Sequence, residues 1–214
     1  MKTLDVDQGS IEWMTARLGL PTCSQFDRLV TPKTMKPSAG VEKYGSELLT
    51  EWQLGCPLEW GTSEWMERGK KEEEDARRWY EMDRGVDVRQ VGLVLRDDGE
   101  VAGSPDGLIG EDGGLEIKVL GAKHHGYFKH GVEDLAMAYV GQVQGYLYLT
   151  GRKWWDLLAY HPHLRSVAVR IEPDPAYLAV LLPALDGLVA KLKEGRIEWA
   201  EDRVPRPWQE DPTP

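Results

Sequence analysis

The sequence predicts an α/β domain with a mixed central sheet flanked by helices. Apolar residues repeat at helical spacing over about residues 9–84, alternate as in strands over about 86–172, and return to helical spacing over about 174–195. A chain of 214 residues is long enough for one domain with a sizeable core, and no repeat or flexible linker divides it. We therefore expect a single domain over residues 1–200 and a proline-rich tail, 201–214, that is extended or disordered.

The predicted helices of the first part are delimited by capping residues. Ser10 suits the N-cap of a first helix, which runs through Leu18, and Gly19 ends it. The second helix begins after Thr22 or Ser24 and is closed by Thr31-Pro32. Two longer helices are expected over Val41–Leu54 and 63–83.

The period of the apolar residues changes after Gly85, which indicates strands. Turns are expected at Asp97-Asp98-Gly99 and at Gly113-Gly114. The predicted strands cover about 86–91, 92–96, 101–109, 115–119, Trp154–Tyr160 and 166–171, with one long helix over 135–149 and a last helix after Pro173.

Charge and cysteine content limit the possible functions. The net charge of −10 argues against a protein that coats DNA with a broad basic surface, although positive charge can be confined to one groove. A stretch over residues 117–132 has no acidic residue and contains Lys118, Lys123, His124, His125, Lys129 and His130. Two cysteines cannot ligate a four-cysteine cluster. With no secretory signal and no apolar run of membrane length, we expect a cytoplasmic protein with reduced thiols and no membrane contact.

Two short motifs contain the residue types of a metal-dependent hydrolase. Ser104-Pro105-Asp106-Gly107 precedes Glu116-Ile117-Lys118. Since alternate side chains of a strand share a face, Glu116 and Lys118 point the same way and Ile117 points into the opposite core. Carboxylates hold Mg²⁺ and a lysine acts on the attacking water in phosphodiester hydrolysis. Either motif alone is also common in surface hairpins.

Two helices have a polar residue on the face expected to pack inward. Glu73 shares a stripe with Ala76 and Tyr80, so it is either a buried carboxylate that needs a metal or one more charge of a solvated tract. Gln144 lies on a stripe with Val140, Leu147 and Tyr148, whereas Gln142 falls on nearly the opposite side. Gln144 is then either a structural hydrogen-bond partner or a residue that orients a water or a phosphate oxygen.

The order Glu73, Asp106, Glu116-x-Lys118, Gln144 resembles the PD-(D/E)xK nuclease superfamily. The chain is most similar to the λ-exonuclease, or YqaJ-type viral recombinase, family over about residues 9–162. The matching motifs are Trp13-x-x-x-Arg17-x-Gly19-x-x-Thr22-x-Ser24, Gly69-Lys70-x-x-Glu73-x-Asp75-Ala76-Arg77, Ser104-Pro105-Asp106-Gly107-Leu108, Gly114-Leu115-Glu116-Ile117-Lys118 and Tyr139-x-x-Gln142-Val143-Gln144. Val119-Leu120 departs from the Cys-Pro pair common in relatives, and neither Asp97 nor Asp98 is assigned to the site.

The resemblance implies a two-metal site. Asp106, Glu116 and the carbonyl of Ile117 would hold a first Mg²⁺, and Glu73 would help Asp106 to hold a second. Mn²⁺ is a plausible substitute.

The resemblance also implies roles for four further residues. Lys118 would orient or deprotonate the attacking water, and Gln144 would steady Lys118 or the scissile phosphate. Arg17 and Ser24 would bind a 5′-terminal phosphate.

The implied activity is 5′-to-3′ digestion of double-stranded DNA by a phage-type recombination exonuclease, which releases 5′-mononucleotides and leaves 3′ overhangs. The family acts as a ring-shaped homotrimer beside a single-strand annealing protein. The alternatives are a restriction-type endonuclease, a zinc site built from the histidines, and a non-catalytic acidic adaptor.

Overall fold

The computed structural model describes residues 1–58 and 64–200, without the side chains of 64–71, 127, 129 and 130. The expected helix start at residue 63, the side chain of Lys70 and the tail over 201–214 lie outside the described residues. Within these limits the expected α/β class with a mixed, helix-flanked sheet is confirmed.

The N-terminal part is mostly helical, as predicted. The Ser10 hydroxyl accepts a hydrogen bond from the backbone N–H of Trp13, 3.1 Å away, and caps helix α1. The second predicted helix is a short 3-10 helix, and its N-cap residue Thr22 makes no side-chain capping bond. The segments are β1 (Lys2–Leu4), α1 (Ile11–Arg17), the 3-10 helix (Cys23–Arg28), β2 (Val30–Thr31), β3 (Lys36–Pro37), α2 (Val41–Leu54) and α3 (Glu64–Arg84).

The central sheet has five strands in the order β10-β9-β8-β7-β4. Its strands are β4 (Val88–Arg89), β7 (Gly107–Ile109), β8 (Gly113–Val119), β9 (Trp154–Tyr160) and β10 (Val167–Ile171). Only the pairing of β8 with β9 is parallel, so a crossover must connect these two strands. The mixed character of the sheet comes from this one pairing.

The predicted strand over 101–109 is wrong, because two strands in different sheets occupy it. β6 (Ala102–Gly103) pairs with β5 (Leu93–Leu95) in a small sheet with β1, whereas β7 pairs with β8. Ser104 to Asp106 connect the two sheets, and Pro105 has no N–H to offer a ladder.

The turn predicted at Gly113-Gly114 is also misplaced, since both glycines lie in β8. The turn lies over residues 110–112 and begins three residues before Gly113, at Gly110, whose φ of 51° is left-handed. The two glycines are needed for packing. A Cβ at Gly113 would lie 2.1 Å from the ring of Trp154, and a Cβ at Gly114 would lie 2.4 Å from the ring of Trp155.

The crossover from β8 to β9 contains three helices: α4 (Ala122–His130), α5 (Val132–Ala138) and α6 (Val140–Thr150). The single helix predicted over 135–149 is therefore broken. Tyr139, with φ −121° and ψ 15°, separates α5 from α6. The sequence did not predict α4.

Helices cover both faces of the central sheet. On one face Ala76 and Tyr80 of α3 pack on Ile117 and Leu158. On the other face Trp155 packs in the main core together with α6, the 3-10 helix, α2 and α7 (Pro175–Glu198). A fully buried large apolar side chain contributes roughly 1.5–3 kcal/mol, so these two clusters hold the layers together.

Among the described helices, α7 passes a test of length and apolarity for a membrane span. Its residues Leu181, Leu185, Leu188 and Leu192 are buried in the main core. Packing inside the fold accounts for these leucines, although only 33% of the apolar window of α7 is buried.

Candidate active site

The loop between the two sheets is fixed by side chains from three other segments. The Trp13 indole donates to the Ser104 hydroxyl at 2.8 Å, and the Gln8 amide donates to the Pro105 carbonyl at 3.0 Å. The Tyr146 hydroxyl, from α6, donates to the Ser104 carbonyl at 3.0 Å. Asp106 follows directly on this anchored loop.

Asp106 is held against the edge of β8. Its Oδ2 accepts a hydrogen bond from the backbone N–H of Ile117 at 2.6 Å. β7 pairs with β8 only as far as Leu115, so the edge of β8 beyond that residue is open for Asp106. The N–H and C=O of one strand residue lie on the same edge, and the Ile117 carbonyl is therefore directed to the side of Asp106.

The side chains of β8 alternate as the sequence predicts. Ile117 packs with α3, whereas Glu116 and Lys118 share the other face of the strand. The Lys118 ammonium donates to Glu116 Oε1 at 2.7 Å. Glu116 is only 3% exposed, and its Oε2 is a buried oxygen with no hydrogen bond to the described residues.

Gln142, on α6, completes this group. Its side-chain oxygen accepts from Lys118 at 2.9 Å, and its nitrogen donates to Glu116 Oε1 at 2.7 Å. The same nitrogen lies 2.9 Å from the hydroxyl of Tyr146. The ring of Tyr139 faces the Lys118 ammonium at 4.7 Å. Lys118 is thus surrounded by a carboxylate, an amide oxygen and an aromatic face.

The assignment of Gln144 to the site is corrected by this geometry. Gln144 is 1% exposed and donates to the Glu172 carbonyl at 2.8 Å, while its oxygen accepts from the Asp174 N–H at 2.9 Å. It joins α6 to the segment before α7, which is the structural alternative raised by the sequence. The stripe correctly predicts that Gln144 is buried, since Val140, Gln144 and Leu147 all lie in α6, but it does not say which groups the amide contacts.

Carboxylates crowd around Asp106. Burial, then the nearby charges of Glu116 and Glu73, raise the pKa of Asp106 well above its ordinary value. Burial lowers the pKa of Lys118, but attraction to Glu116 and Asp106 outweighs this and the pKa is raised. Lys118 donates hydrogen bonds to Glu116 and to Gln142, which hold its side chain in one position.

Glu73 lies on α3, half-buried, with the Arg77 guanidinium 3.9 Å away. Over residues 1–58 and 64–200 no group of three or more His, Cys, Asp or Glu is arranged to hold a metal ion. Asp106 and Glu116 nevertheless suit a divalent cation. They offer the oxygen ligands that Mg²⁺ prefers, repel each other, and include the buried Glu116 Oε2 that lacks a hydrogen bond.

Arg17 is the last residue of α1, and Ser24 lies at the start of the 3-10 helix. The Arg17 guanidinium lies 4.2 Å from the centre of the Trp13 ring, and its side chain has no ion pair within the part of the chain that the structure describes. Burial lowers the pKa of Arg17, although Tyr146 and other nearby groups oppose this. Ser24 is exposed at the start of the 3-10 helix, and its hydroxyl lies 3.3 Å from that of Thr22.

The family model for the YqaJ-like viral recombinase domain matches residues 12–153. The chain belongs to this family. The expected resemblance is confirmed. No curated protein sequence matches the chain.

Solved structures support the membership of this YqaJ-like chain. The alkaline exonuclease LHK-Exo from Laribacter hongkongensis is 29% identical at a TM-score of 0.77, over 90% of this chain and 97% of its own. Its complex with dAMP is 28% identical at the same TM-score, over 90% and 98%. A phage-related exonuclease from Haemophilus somnus has the same fold, at 15% identity and a TM-score of 0.64 over 86% and 96%. The YqaJ-like chain is a nuclease, a hydrolase that acts on DNA.

Sequence reasoning missed three residues of the YqaJ-like site: Gln142, Tyr146 and Tyr139. One available signal was the spacing of Gln142 and Tyr146, which are four residues apart and so share a helix face. The excluded Asp98 accepts hydrogen bonds from Arg96, and Asp97 contacts the N-terminus. Within the described structure, no hydrogen bond or ion pair joins Asp97 or Asp98 to Asp106, Glu116 or Lys118.

Proposed function

We propose that this protein is a Mg²⁺-dependent exonuclease that digests double-stranded DNA from 5′ ends. It releases 5′-mononucleotides and leaves 3′ overhangs for recombination by strand annealing. The main structural support for this proposal is the group of Asp106, Glu116, Lys118 and Gln142, in which two carboxylates lie beside the positioned amine of Lys118. The relative's complex with dAMP, a deoxynucleoside monophosphate, supports the proposed product class.

Each residue of the group has a role in the proposed hydrolysis. Asp106, Glu116 and the Ile117 carbonyl hold the metal, with Glu73 beside Asp106 for a second ion. When bound, Mg²⁺ supplies positive charge that stabilises the attacking and leaving oxygens of the phosphodiester. Mn²⁺ has the same preference for oxygen ligands and can replace it.

Lys118 provides a hydrogen-bond donor to the reacting groups. Held by Glu116 and Gln142, it donates to the attacking water or to a phosphate oxygen and aligns the two. Gln142 holds Lys118 from the side of α6, and its tie to Tyr146 couples this lysine to the loop before Asp106. One set of hydrogen bonds thus links Lys118 to Glu116 and to the loop before Asp106.

Arg17 and Ser24 bind the 5′-terminal phosphate in this proposal. A guanidinium without a protein counter-ion among the described residues retains its charge for a ligand, and the exposed Ser24 hydroxyl adds a donor. Recognition of a terminal phosphate would restrict cutting to DNA ends. The protein would act as a ring-shaped homotrimer, which mass photometry can test. It would work together with a single-strand annealing protein.

The test compares linear duplex DNA, with and without a 5′ phosphate, and closed circular plasmid, each in Mg²⁺ and in EDTA. We expect digestion of the linear duplex in Mg²⁺ only, faster with the 5′ phosphate, and intact plasmid. Lys118→Ala should abolish it, whereas Lys153→Ala, at the far end of β9 and paired with Asp112, should not. Equal digestion of the closed plasmid would instead favour an endonuclease, and no digestion by the wild type would favour the acidic adaptor.

A further inference from the structure

Exposed cationic side chains gather at the carboxyl ends of the two parallel strands. β8 and β9 end side by side, because Val119 is paired with Tyr160 and the Leu120 N–H donates to the Tyr160 carbonyl at 3.0 Å. α4 begins just beyond β8, and the turn over 161–166 begins just beyond β9. The basic surface, as we define it, consists of the exposed residues Lys123, His124, His163 and Arg165.

A buried histidine holds the two halves of the basic surface together. His125, on α4, is fully buried, and its Nε2 donates to the Arg165 carbonyl at 2.7 Å. Its ring centroid lies 5.9 Å from that of His161, which lies 5.9 Å from that of His163. The segments that carry Lys123 and Arg165 are therefore packed against each other, and both side chains are exposed.

The basic surface differs in charge from the rest of the chain. The whole protein has a net charge of −10, yet residues 117–132 and 161–166 contain no Asp or Glu. Of the acidic residues that flank these two stretches, Glu116 and Asp156 are buried in the sheet, and Glu133 and Asp134 begin α5 beyond the other end of α4. An acidic protein that acts on DNA needs such a confined region of positive charge.

The basic surface lies close to the candidate active site. Three strand-like steps separate Lys118 from Gly121, where α4 is capped, and at about 3.3 Å per residue they span roughly 10 Å. Duplex DNA has one phosphate per strand about every 3.4 Å along its axis. The surface is thus within reach of phosphates about three nucleotides from a scissile phosphate bound near Lys118.

We propose that the basic surface binds the phosphate backbone of the DNA substrate about three nucleotides from the site of cutting. This inference rests on the proposed nuclease function. Lys123 and Arg165 contact phosphates, and His124 and His163 add donors beside them. The contact depends on charge and on donors to phosphate, so it is independent of base sequence.

The experiment measures the salt dependence of DNA binding. Fluorescence anisotropy of a labelled linear duplex is recorded in EDTA, which prevents digestion, between 50 and 200 mM KCl. Each lost phosphate contact should reduce the slope of log K against log salt by about 0.9. We expect the double variant Lys123→Ala/Arg165→Ala to bind more weakly, with a slope smaller by about 2. The control Lys153→Ala/Lys191→Ala makes the same charge change elsewhere, at lysines paired with Asp112 and Glu42, and should match the wild type.

The outcomes separate this inference from the proposed function. If the Lys123→Ala/Arg165→Ala variant has the wild-type slope of log K against log salt, the inference that the basic surface binds DNA is wrong. This holds even if the wild type digests linear duplex in Mg²⁺. A reduced slope together with no digestion by the wild type would support the surface and overturn the nuclease function. Equal losses in the control variant would show that net charge alone matters, which would also overturn the inference.

Discussion

The side-chain oxygen of Gln142 lies 2.9 Å from the ammonium of Lys118. Because Gln142 also donates to Glu116, its removal frees Lys118 to move while both charged groups remain. We expect Gln142→Ala to lower kcat about 10- to 100-fold, the effect of misplacing a reacting group by about an ångström, with little change in KM. Steady-state kinetics on linear duplex DNA measures this. A wild-type kcat would contradict the positioning role.

Gln144→Ala should affect stability instead of rate. Without its amide, the Glu172 carbonyl and the Asp174 N–H lose their partners. An unpaired buried polar group costs about 1–3 kcal/mol, so we expect a Tm lower by several degrees and unchanged kcat per folded molecule. Measuring Tm and kcat on the same preparation of each variant compares Gln144→Ala with Gln142→Ala. A loss of kcat at unchanged Tm would return Gln144 to the active site.

Arg17→Ala should remove the preference for a 5′ phosphate. A hydrogen bond to a charged group contributes about 1.5–3 kcal/mol, which corresponds to about 10- to 100-fold in the ratio of rates on 5′-phosphorylated and 5′-hydroxyl duplex. Arg28→Ala is the matched control, since Arg28 is already paired with Glu47 at 2.6 Å. The pocket assignment fails if Arg17→Ala retains the wild-type ratio.

Without metal, Asp106→Asn should be more stable than the wild type, and the difference in stability should grow as pH rises. The pKa of Asp106 is raised by burial and by Glu116 and Glu73, so the folded state retains a proton that the unfolded state loses near pH 4. Stability then falls as pH rises from about 4 through the folded pKa, and the Asn variant lacks this loss.

Thermal denaturation in EDTA at pH 4 and pH 8 tests this. The Tm of Asp106→Asn should exceed that of the wild type at pH 8 by more than at pH 4, and each 1 kcal/mol corresponds to about 2–4 °C. Asp112→Asn, at an exposed ion pair outside the carboxylate group, is the matched control. An Asp106→Asn variant less stable than the wild type at pH 8 would contradict the carboxylate crowding.

Tyr80→Phe should destabilise the contact between α3 and the sheet. The Tyr80 hydroxyl donates to Asp156 at 2.5 Å, and Asp156, on β9, is 4% exposed and also accepts from Arg170. Loss of a hydrogen bond to a charged group costs about 1.5–3 kcal/mol, which urea denaturation measures. In Tyr160→Phe the lost hydroxyl has no hydrogen bond to the described residues, so stability should change little. Equal stability of the Tyr80 and Tyr160 variants would contradict this.

Local signals in the sequence predicted much of the fold and part of the site. The Ser10 cap, the boundaries of α2 and the alternation of Glu116, Ile117 and Lys118 depend on neighbours in the chain, and the structure has them as expected. The helix stripe correctly predicted that Gln144 is buried, but its partners at Glu172 and Asp174 are 28 and 30 residues away in the chain, so no local pattern showed its structural role.

Elements that depend on distant partners were also missed. β1 contains three exposed residues and is a strand only because β5 lies beside it. The connection at Ser104 to Asp106 changes sheets because of pairings that no local pattern encodes. α4 has little apolar periodicity, and its anchor, His125, binds a carbonyl forty residues away.

The crossover between β8 and β9 determines when the group of Glu116, Lys118 and Gln142 can assemble during synthesis. Glu116 and Lys118 precede it, Gln142 lies within it, and the strand that pairs with β8 ends at Tyr160. A ribosome that has translated only the first hundred and twenty codons has made Glu116 and Lys118 but neither the glutamine nor the neighbouring strand. The hydrogen bonds from Gln142 to Lys118 and Glu116 can therefore form only after the chain through α6 has left the exit tunnel.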